Sequence, residues 1–257
     1  MKAKKSYGQH FLNKPEIARA IAHSFSLKDA YQNILEVGPG TGNLTKFLTK
    51  LPYNLKVVEA DRDMVFALAS NYPELMHSII KKDFLKLDLR EIFEENSFGL
   101  IGNFPYNISS QILFKMLDYK ELIPEMVGMF QKEVAERVVA SPGSKTYGVI
   151  SVLIQAYYDG EYLFDVDKSS FTPPPKVQSG VIRLIRKKDL TLACDESLFK
   201  RIVKQTFSQR RKMLRNSLKS LIGDASLLTD DMFQKRPERL SVSDFIDLAN
   251  FVQQNQK

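Results

Sequence analysis

Through the first two-thirds of the chain, short runs of β-branched and apolar residues alternate with longer amphipathic stretches. That alternation is the pattern of a mostly parallel sheet with helices on both faces. The apolar runs fall at 33–37, 55–59, 78–81, 98–102 and 126–130, and helical spacing falls at 15–24, 44–49, 62–71, 109–117 and 132–140. After Ser141-Pro142-Gly143-Ser144, a turn by composition, a further helix is expected at 147–158, then strands at 161–166 and 180–185. Between those two strands stands Phe171-Thr172-Pro173-Pro174-Pro175-Lys176, whose consecutive prolines exclude helix and central strand alike. From about 195 onward the periodicity is wholly helical. The expectation is therefore an α/β domain over 1–190 and a small all-helical domain over 191–257.

Composition narrows the classes of function. With 44% apolar residues in 257, the chain has ample material for a packed core. The single Cys194 cannot close an internal disulfide, and His10, His23 and His77 are too scattered to form a metal cluster with it. A reduced, cytoplasmic, metal-free protein is expected. No run of about 18 apolar residues exists to span a bilayer, and 1–13 lacks the apolar stretch of a secretory signal. The charge points outward: 37 Lys and Arg against 30 Asp and Glu leave +7, so a polyanion is the first partner to consider. Residues 191–257 carry 12 basic and 8 acidic side chains, and 200–219 holds eight cations with no carboxylate. A lone charge run is ordinarily a solvated helix face, but the missing acids weaken that reading here.

The first strand runs into Glu36-Val37-Gly38-Pro39-Gly40-Thr41-Gly42-Asn43 and then a helix. Glycines at such a junction let the backbone turn sharply and approach a ligand that a Cβ would push away. Glu59 ends the second strand, where a carboxylate reaches ribose hydroxyls in doubly wound nucleotide folds. A dinucleotide is the default ligand of that pattern. Three features favour S-adenosylmethionine instead: an acid, Glu36, precedes the turn; the spacing is G-x-G-x-G; and a second acid, Asp83, closes the third strand. Asp83 can accept adenine amino hydrogens, with Phe84 beside it to cover the ring.

The fourth strand ends in Gly102-Asn103-Phe104-Pro105-Tyr106-Asn107, at the crevice where open α/β sheets bind ligands. An exocyclic adenine amine is a poor nucleophile because its lone pair is delocalised into the ring. A catalyst should therefore accept its N–H groups and favour a pyramidal nitrogen. Asn103 offers a side-chain oxygen, Phe104 a backbone carbonyl, and Pro105 a stiff turn to make them converge. Tyr106 offers a flat face for an extruded base, an interaction of about 1–3 kcal/mol per base. No strong general base is required, because the methylated amine is very acidic while charged, and catalysis is mostly positioning. Phe171, on its proline-stiffened loop, is a candidate second stacking wall.

These residues together resemble the KsgA-type ribosomal RNA adenine N6,N6-dimethyltransferases over essentially the whole chain. The likeness includes Gly8-Gln9-His10-Phe11-Leu12, the glycine turn, Glu59-Ala60-Asp61, Asp83-Phe84, Asn103-Phe104-Pro105-Tyr106-Asn107-Ile108-Ser109 and Phe171-Thr172-Pro173-Pro174-Pro175-Lys176-Val177. It continues in Gln209-Arg210-Arg211-Lys212-Met213-Leu214-Arg215-Asn216 and Arg239-Leu240-Ser241. Phe104 departs from the leucine of many relatives. The resemblance implies a class I methyltransferase fold, Rossmann-like and seven-stranded with the last strand antiparallel, plus a helical C-terminal domain.

It also implies cofactor contacts at His10, Leu12, Gly38, Gly40, Glu59, Asp83 and Asn103, and target-base residues at Asn103, Tyr106 and Phe171. The implied substrate is two adjacent adenosines in a hairpin loop near the 3′ end of small-subunit (16S) rRNA, each dimethylated, within a 30S-type particle and linked to its biogenesis. Arg210, Arg211, Lys212 and Arg215 are the expected RNA backbone contacts, with Lys2, Lys4 and Lys5 as a second patch, and the protein is expected to be a monomer. A large-subunit (23S) rRNA adenine methyltransferase of the macrolide-resistance type and a non-catalytic assembly or transcription factor are the competing readings.

Overall fold

The computed structural model describes residues 8–27 and 29–255. The chain forms two compact units, the first taking residues up to Glu136 and Asp159–Arg186, the second Arg137–Tyr158 and Lys187 onward. The division differs from a single boundary at 190, because 137–158 groups with the C-terminal helices. Its apolar stretch supplies Ile150, Val152, Leu153 and Ile154 to the helical core.

In chain order the first unit holds β1 (Phe11–Leu12), α1 (Pro15–Ala22), β2 (Asn33–Val37), α2 (Thr45–Leu48), β3 (Asn54–Val58) and α3 (Arg62–Asn71). It continues with β4 (Ile79–Ile80), β5 (Phe98–Asn103), α4 (Ser109–Asp118), β6 (Glu125–Gln131) and α5 (Lys132–Val138), where the chain crosses into the second unit. After α6 (Val149–Gln155) it returns as β7 (Tyr158–Val166), β8 (Phe171–Thr172) and β9 (Ser179–Arg186).

Seven strands form one sheet in the order β4-β3-β2-β5-β6-β9-β7. The first five are parallel, and β9 runs antiparallel to β6 from Gln131↔Ser179 to Glu125↔Ile185. Covered on both faces, β2, β5 and β6 are buried along almost their whole length. Their sequences accordingly read as contiguous apolar runs. Because β2 has β3 on one side and β5 on the other, the strand order reverses there, and the carboxyl ends of β2 and β5 open a crevice.

A second, two-stranded sheet pairs β1 with β8 antiparallel, Phe11↔Thr172 and Leu12↔Phe171. Asn13 extends the link: its backbone N–H donates to the Ser170 carbonyl (2.8 Å) and its Nδ2 to Thr172 Oγ1 (3.0 Å).

The second unit is helical: α6, then α7 (Glu196–Ser208), α8 (Leu214–Leu218), α9 (Asp231–Gln234) and α10 (Val242–Asn255). Asp195 caps α7 by accepting the Leu198 N–H at 2.6 Å. Phe199, Ile202, Val203, Leu214, Leu218, Phe233, Phe245 and Leu248 are fully buried. Among the described residues no helix is long and apolar enough to cross a membrane.

Candidate active site

At the end of β2 the chain makes its glycine turn, with φ of 69°, 56° and 89° at Gly38, Gly40 and Gly42. These lie in the left-handed region that glycine alone enters without strain. A Cβ at Gly40 would stand 3.0 Å from the Phe11 ring, so the turn is closely covered by the N-terminal segment. Glu59, at the end of β3, clasps the turn: its Oε2 accepts the Gly40 N–H (3.1 Å) and its Oε1 the Asp61 N–H (2.9 Å). Burial raises its carboxyl above the usual carboxylate range, and the amide donors pull the other way.

Glu36 sits deeper, 1% exposed, with Thr45 Oγ1 donating to its Oε2 at 2.7 Å. Desolvation pushes its pKa up to about 8. Asp83 follows β4, accepts the Leu85 N–H at 3.0 Å through Oδ1, and stands next to the buried Phe84.

Asn103 is the last residue of β5, paired with Met129 of β6. Its Nδ2 donates to the His10 carbonyl at 2.9 Å. That bond fixes the amide and leaves Oδ1 as the atom able to accept hydrogen bonds from a ligand. Phe104 turns its ring into the core, 5.0 Å from Phe130. Pro105 begins the turn that brings up Tyr106, whose hydroxyl shares a 2.5 Å hydrogen bond with the buried Ser179 Oγ.

One cavity of about 290 Å³ gathers these groups. His10, Leu12, Gly38, Gly40, Glu59, Asp83, Asn103 and Tyr106 all line it, so the structure brings together eight of the nine residues expected in or beside the reaction. The size, the glycine cradle and the carboxylates at the ends of β3 and β4 fit a nucleoside bearing an amino-acid arm, as S-adenosylmethionine does. Leu12 is buried, and its carbonyl accepts the Asn43 amide at 2.6 Å.

Phe171 stands apart from this group. Pairing places it opposite Leu12, so its side chain follows Leu12 into the apolar core of the unit, 2% exposed and outside the cavity lining. The structure thus places the expected second stacking wall in packing and does not bring it to the cavity.

Of the expected RNA contacts, Arg211, Lys212 and Arg215 are exposed and form no ion pair among the described residues. Arg210 is committed internally. Its Nη2 donates to the carbonyls of Lys145 (2.8 Å) and Ser144 (3.3 Å), and its Nε lies 3.9 Å from Glu238. It therefore braces the 144–145 loop of the helical unit. Lys2, Lys4 and Lys5 lie outside the described residues.

Residue-type reasoning passed over Gln9, Asn43 and Ser179. Gln9 lines the cavity and donates to Asp61 Oδ2 at 2.9 Å. All three act on partners 31 to 73 residues away, a separation that leaves no trace in local periodicity.

Comparison with known proteins agrees with this geometry. The family model for ribosomal RNA adenine dimethylase matches residues 1–254. The chain is 54% identical over 253 residues to the ribosomal RNA small subunit methyltransferase A of Flavobacterium johnsoniae, covering 98% of this chain and 97% of that protein. It is 55% identical over 257 residues to the protein of the same name from Bacteroides fragilis, covering 99% and 93%. Among solved structures it resembles a dimethyladenosine transferase from Plasmodium falciparum, with a TM-score of 0.79, 26% identity, and 95% and 98% of the two chains covered. Family match, identity along nearly the full length and the methyltransferase crevice agree: the chain belongs to the ribosomal RNA adenine dimethylase family.

Proposed function

We propose that this chain dimethylates the N6 amines of two adjacent adenosines near the 3′ end of small-subunit rRNA, using S-adenosylmethionine, and that it acts on a small-subunit particle during assembly. The observation that carries the reading is Asn103. Its Nδ2 is held by the His10 carbonyl, so its Oδ1 is presented at the crevice beside Tyr106. The names of the relatives that match at 54–55% identity support the small subunit as the target.

When bound, S-adenosylmethionine supplies an electrophilic methyl group. Glu59 would take the ribose hydroxyls, Asp83 the adenine amine, and the turn at Gly38 and Gly40 leaves room for the backbone to close on the ligand. His10 and Leu12 lie on the segment that covers this side of the cavity.

On the acceptor side, Asn103 Oδ1 and the Phe104 carbonyl accept the two N–H groups of the target amine, drawing its lone pair out of conjugation. Tyr106 holds the ring by stacking, with the Ser179 hydroxyl fixing the outer end of the tyrosine. Orientation is the main source of rate, and the proton of the alkylated amine passes to water without a dedicated base. The exposed Arg211, Lys212 and Arg215 would hold RNA phosphates. We read the working form as a cytoplasmic monomer.

The test is mass spectrometry of nucleosides from ribosomal particles incubated with the protein and methyl-labelled cofactor. Two labelled N6,N6-dimethyladenosines per small-subunit rRNA are expected. Label in large-subunit rRNA would transfer the activity to the other subunit, and tight particle binding without label would reduce the chain to a binding factor.

A further inference from the structure

The acceptor side of the cavity contains one aromatic ring too many. His10 stacks on Tyr106 with ring centroids 5.4 Å apart and planes 27° from parallel, and both residues line the cavity. The imidazole is also fixed at its edge. Nδ1 lies 2.8 Å from the Pro173 carbonyl, which can only accept, so Nδ1 carries the proton. The backbone carbonyl of the same residue takes the Asn103 amide. Position 10 thus touches Asn103, Tyr106 and the proline loop, the three places from which the target base was expected to be held. A residue serving only the cofactor would not need those partners.

The segment carrying His10 is tied down on both sides. Gly8 has φ of +61°, and a Cβ there would stand 2.6 Å from Asn107 Oδ1, so the strap is drawn tightly over the turn that bears Tyr106. Beyond His10, the β1–β8 ladder anchors Phe11 and Leu12. Between these anchors the His10 side chain hangs from backbone that is held without it. Swinging the ring off Tyr106 therefore breaks the Nδ1–Pro173 hydrogen bond and leaves the strap in place.

We propose that His10 is a stand-in for the target base: its imidazole occupies the stacking face of Tyr106 until an adenine displaces it. The proposal rests on the reading of Tyr106 as the stacking surface. A flat ring with an in-plane N–H mimics the contacts of a purine at lower area, so it fills the slot in the resting protein and yields to the larger base. It covers the stacking face of the tyrosine, at the cost of a competition that is read in the particle KM.

The test is a double-mutant cycle between positions 10 and 106. The readouts are KM for undermethylated small-subunit particles, kcat, and calorimetric affinity for the cofactor. Aromatic pairs of this kind contribute enough to change an affinity about three- to ten-fold. His10→Ala is expected to lower the particle KM by that factor in the Tyr106 protein, and to leave it unchanged in the Tyr106→Ala background. His10→Phe, which keeps a ring on Tyr106, is expected to hold KM at or above the starting value. It also serves as the deciding variant should His10→Ala not fold, because a fall in its KM overturns the proposal. The proposal is equally overturned if His10→Ala leaves KM unchanged or raises it, if it lowers KM equally in both backgrounds, or if its sole effect is weaker cofactor binding. Wild-type KM and kcat in Tyr106→Ala alone would instead remove the stacking role of Tyr106, a separate failure.

Discussion

Asn103 does its work through one atom because another is occupied. With Nδ2 spent on the His10 carbonyl, the amide cannot rotate to present a donor to the target amine, which itself needs acceptors. Asn103→Ala should lower kcat by about 10², the scale of losing one positioned polar group in a transition state. Because the cradle at Gly38, Gly40 and Glu59 is untouched, cofactor affinity should stay within about two-fold by calorimetry, and a parallel collapse of both would mean that the residue is structural. Glu36 makes a different prediction. Its folded pKa of about 8 exceeds the ordinary 4.5 because its carboxyl is desolvated, so the folded state keeps a proton that the unfolded chain releases. Stability should therefore be highest below the unfolded pKa and decline as pH rises through the window between 4.5 and 8. Urea midpoints of wild type and Glu36→Gln at pH 5.5 and 8.5 check this: the wild type should lose more than the glutamine variant.

Elements differ in how openly the chain announces them. Where a strand is buried on both faces, as β2, β5 and β6 are, burial demands a contiguous apolar run, and the run is visible without knowing any partner. The 62–71 helix is equally plain, since Asp61 caps it by accepting the Asp63 N–H. Opposite in character is the β1–β8 ladder. Two residues are too few to show a period of two, and each strand exists only because the other lies some 160 residues away. The site inherits the same division. Gly38, Glu59, Asp83 and Asn103 stand at strand ends that periodicity reveals, whereas the strap, Ser179 and the inward turn of Phe171 depend on long-range pairing. The expected helix over 147–158 ends early, at Gln155, because its last residue already begins β7, whose polar Asp159-Gly160-Glu161 hides the strand's period. Gly128, inside β6, marks a close approach that the structure assigns to Phe104. A Cβ there would come within 2.3 Å of the Phe104 ring and 2.7 Å of Phe130, both buried. Gly128→Ala should thus cost about 1–3 kcal/mol through overpacking. It should also lower kcat by moving the backbone that presents Asn103, and denaturant unfolding with steady-state rates measures both.

At the scale of the whole molecule, the surplus of +7 has to be divided between charges that hold the protein together and charges that face a partner. The run from 200 to 219 looks uniform as sequence, yet its members divide cleanly once folded. Arg210 spends its guanidinium on two carbonyls of the 144–145 loop and on Glu238, which is itself 18% exposed. Arg211, Lys212 and Arg215 carry no such commitment and present their charge to solvent. Two variants should therefore separate cleanly. Arg210→Ala removes hydrogen bonds from a charged donor and should cost about 1–3 kcal/mol of stability. The slope of log affinity for RNA against log salt should hardly change in that variant. Reversing Arg211, Lys212 and Arg215 together to Glu should do the opposite. Unfolding should stay near wild type, while RNA binding weakens and the salt slope falls by about two to three units, because each phosphate contact releases close to one counterion. Titrations at several salt concentrations, with thermal melts of the same preparations, distinguish the outcomes. A triple variant that keeps the wild-type slope would place the RNA backbone on some other surface, and the carboxylate-free run would then be a solvated helical face.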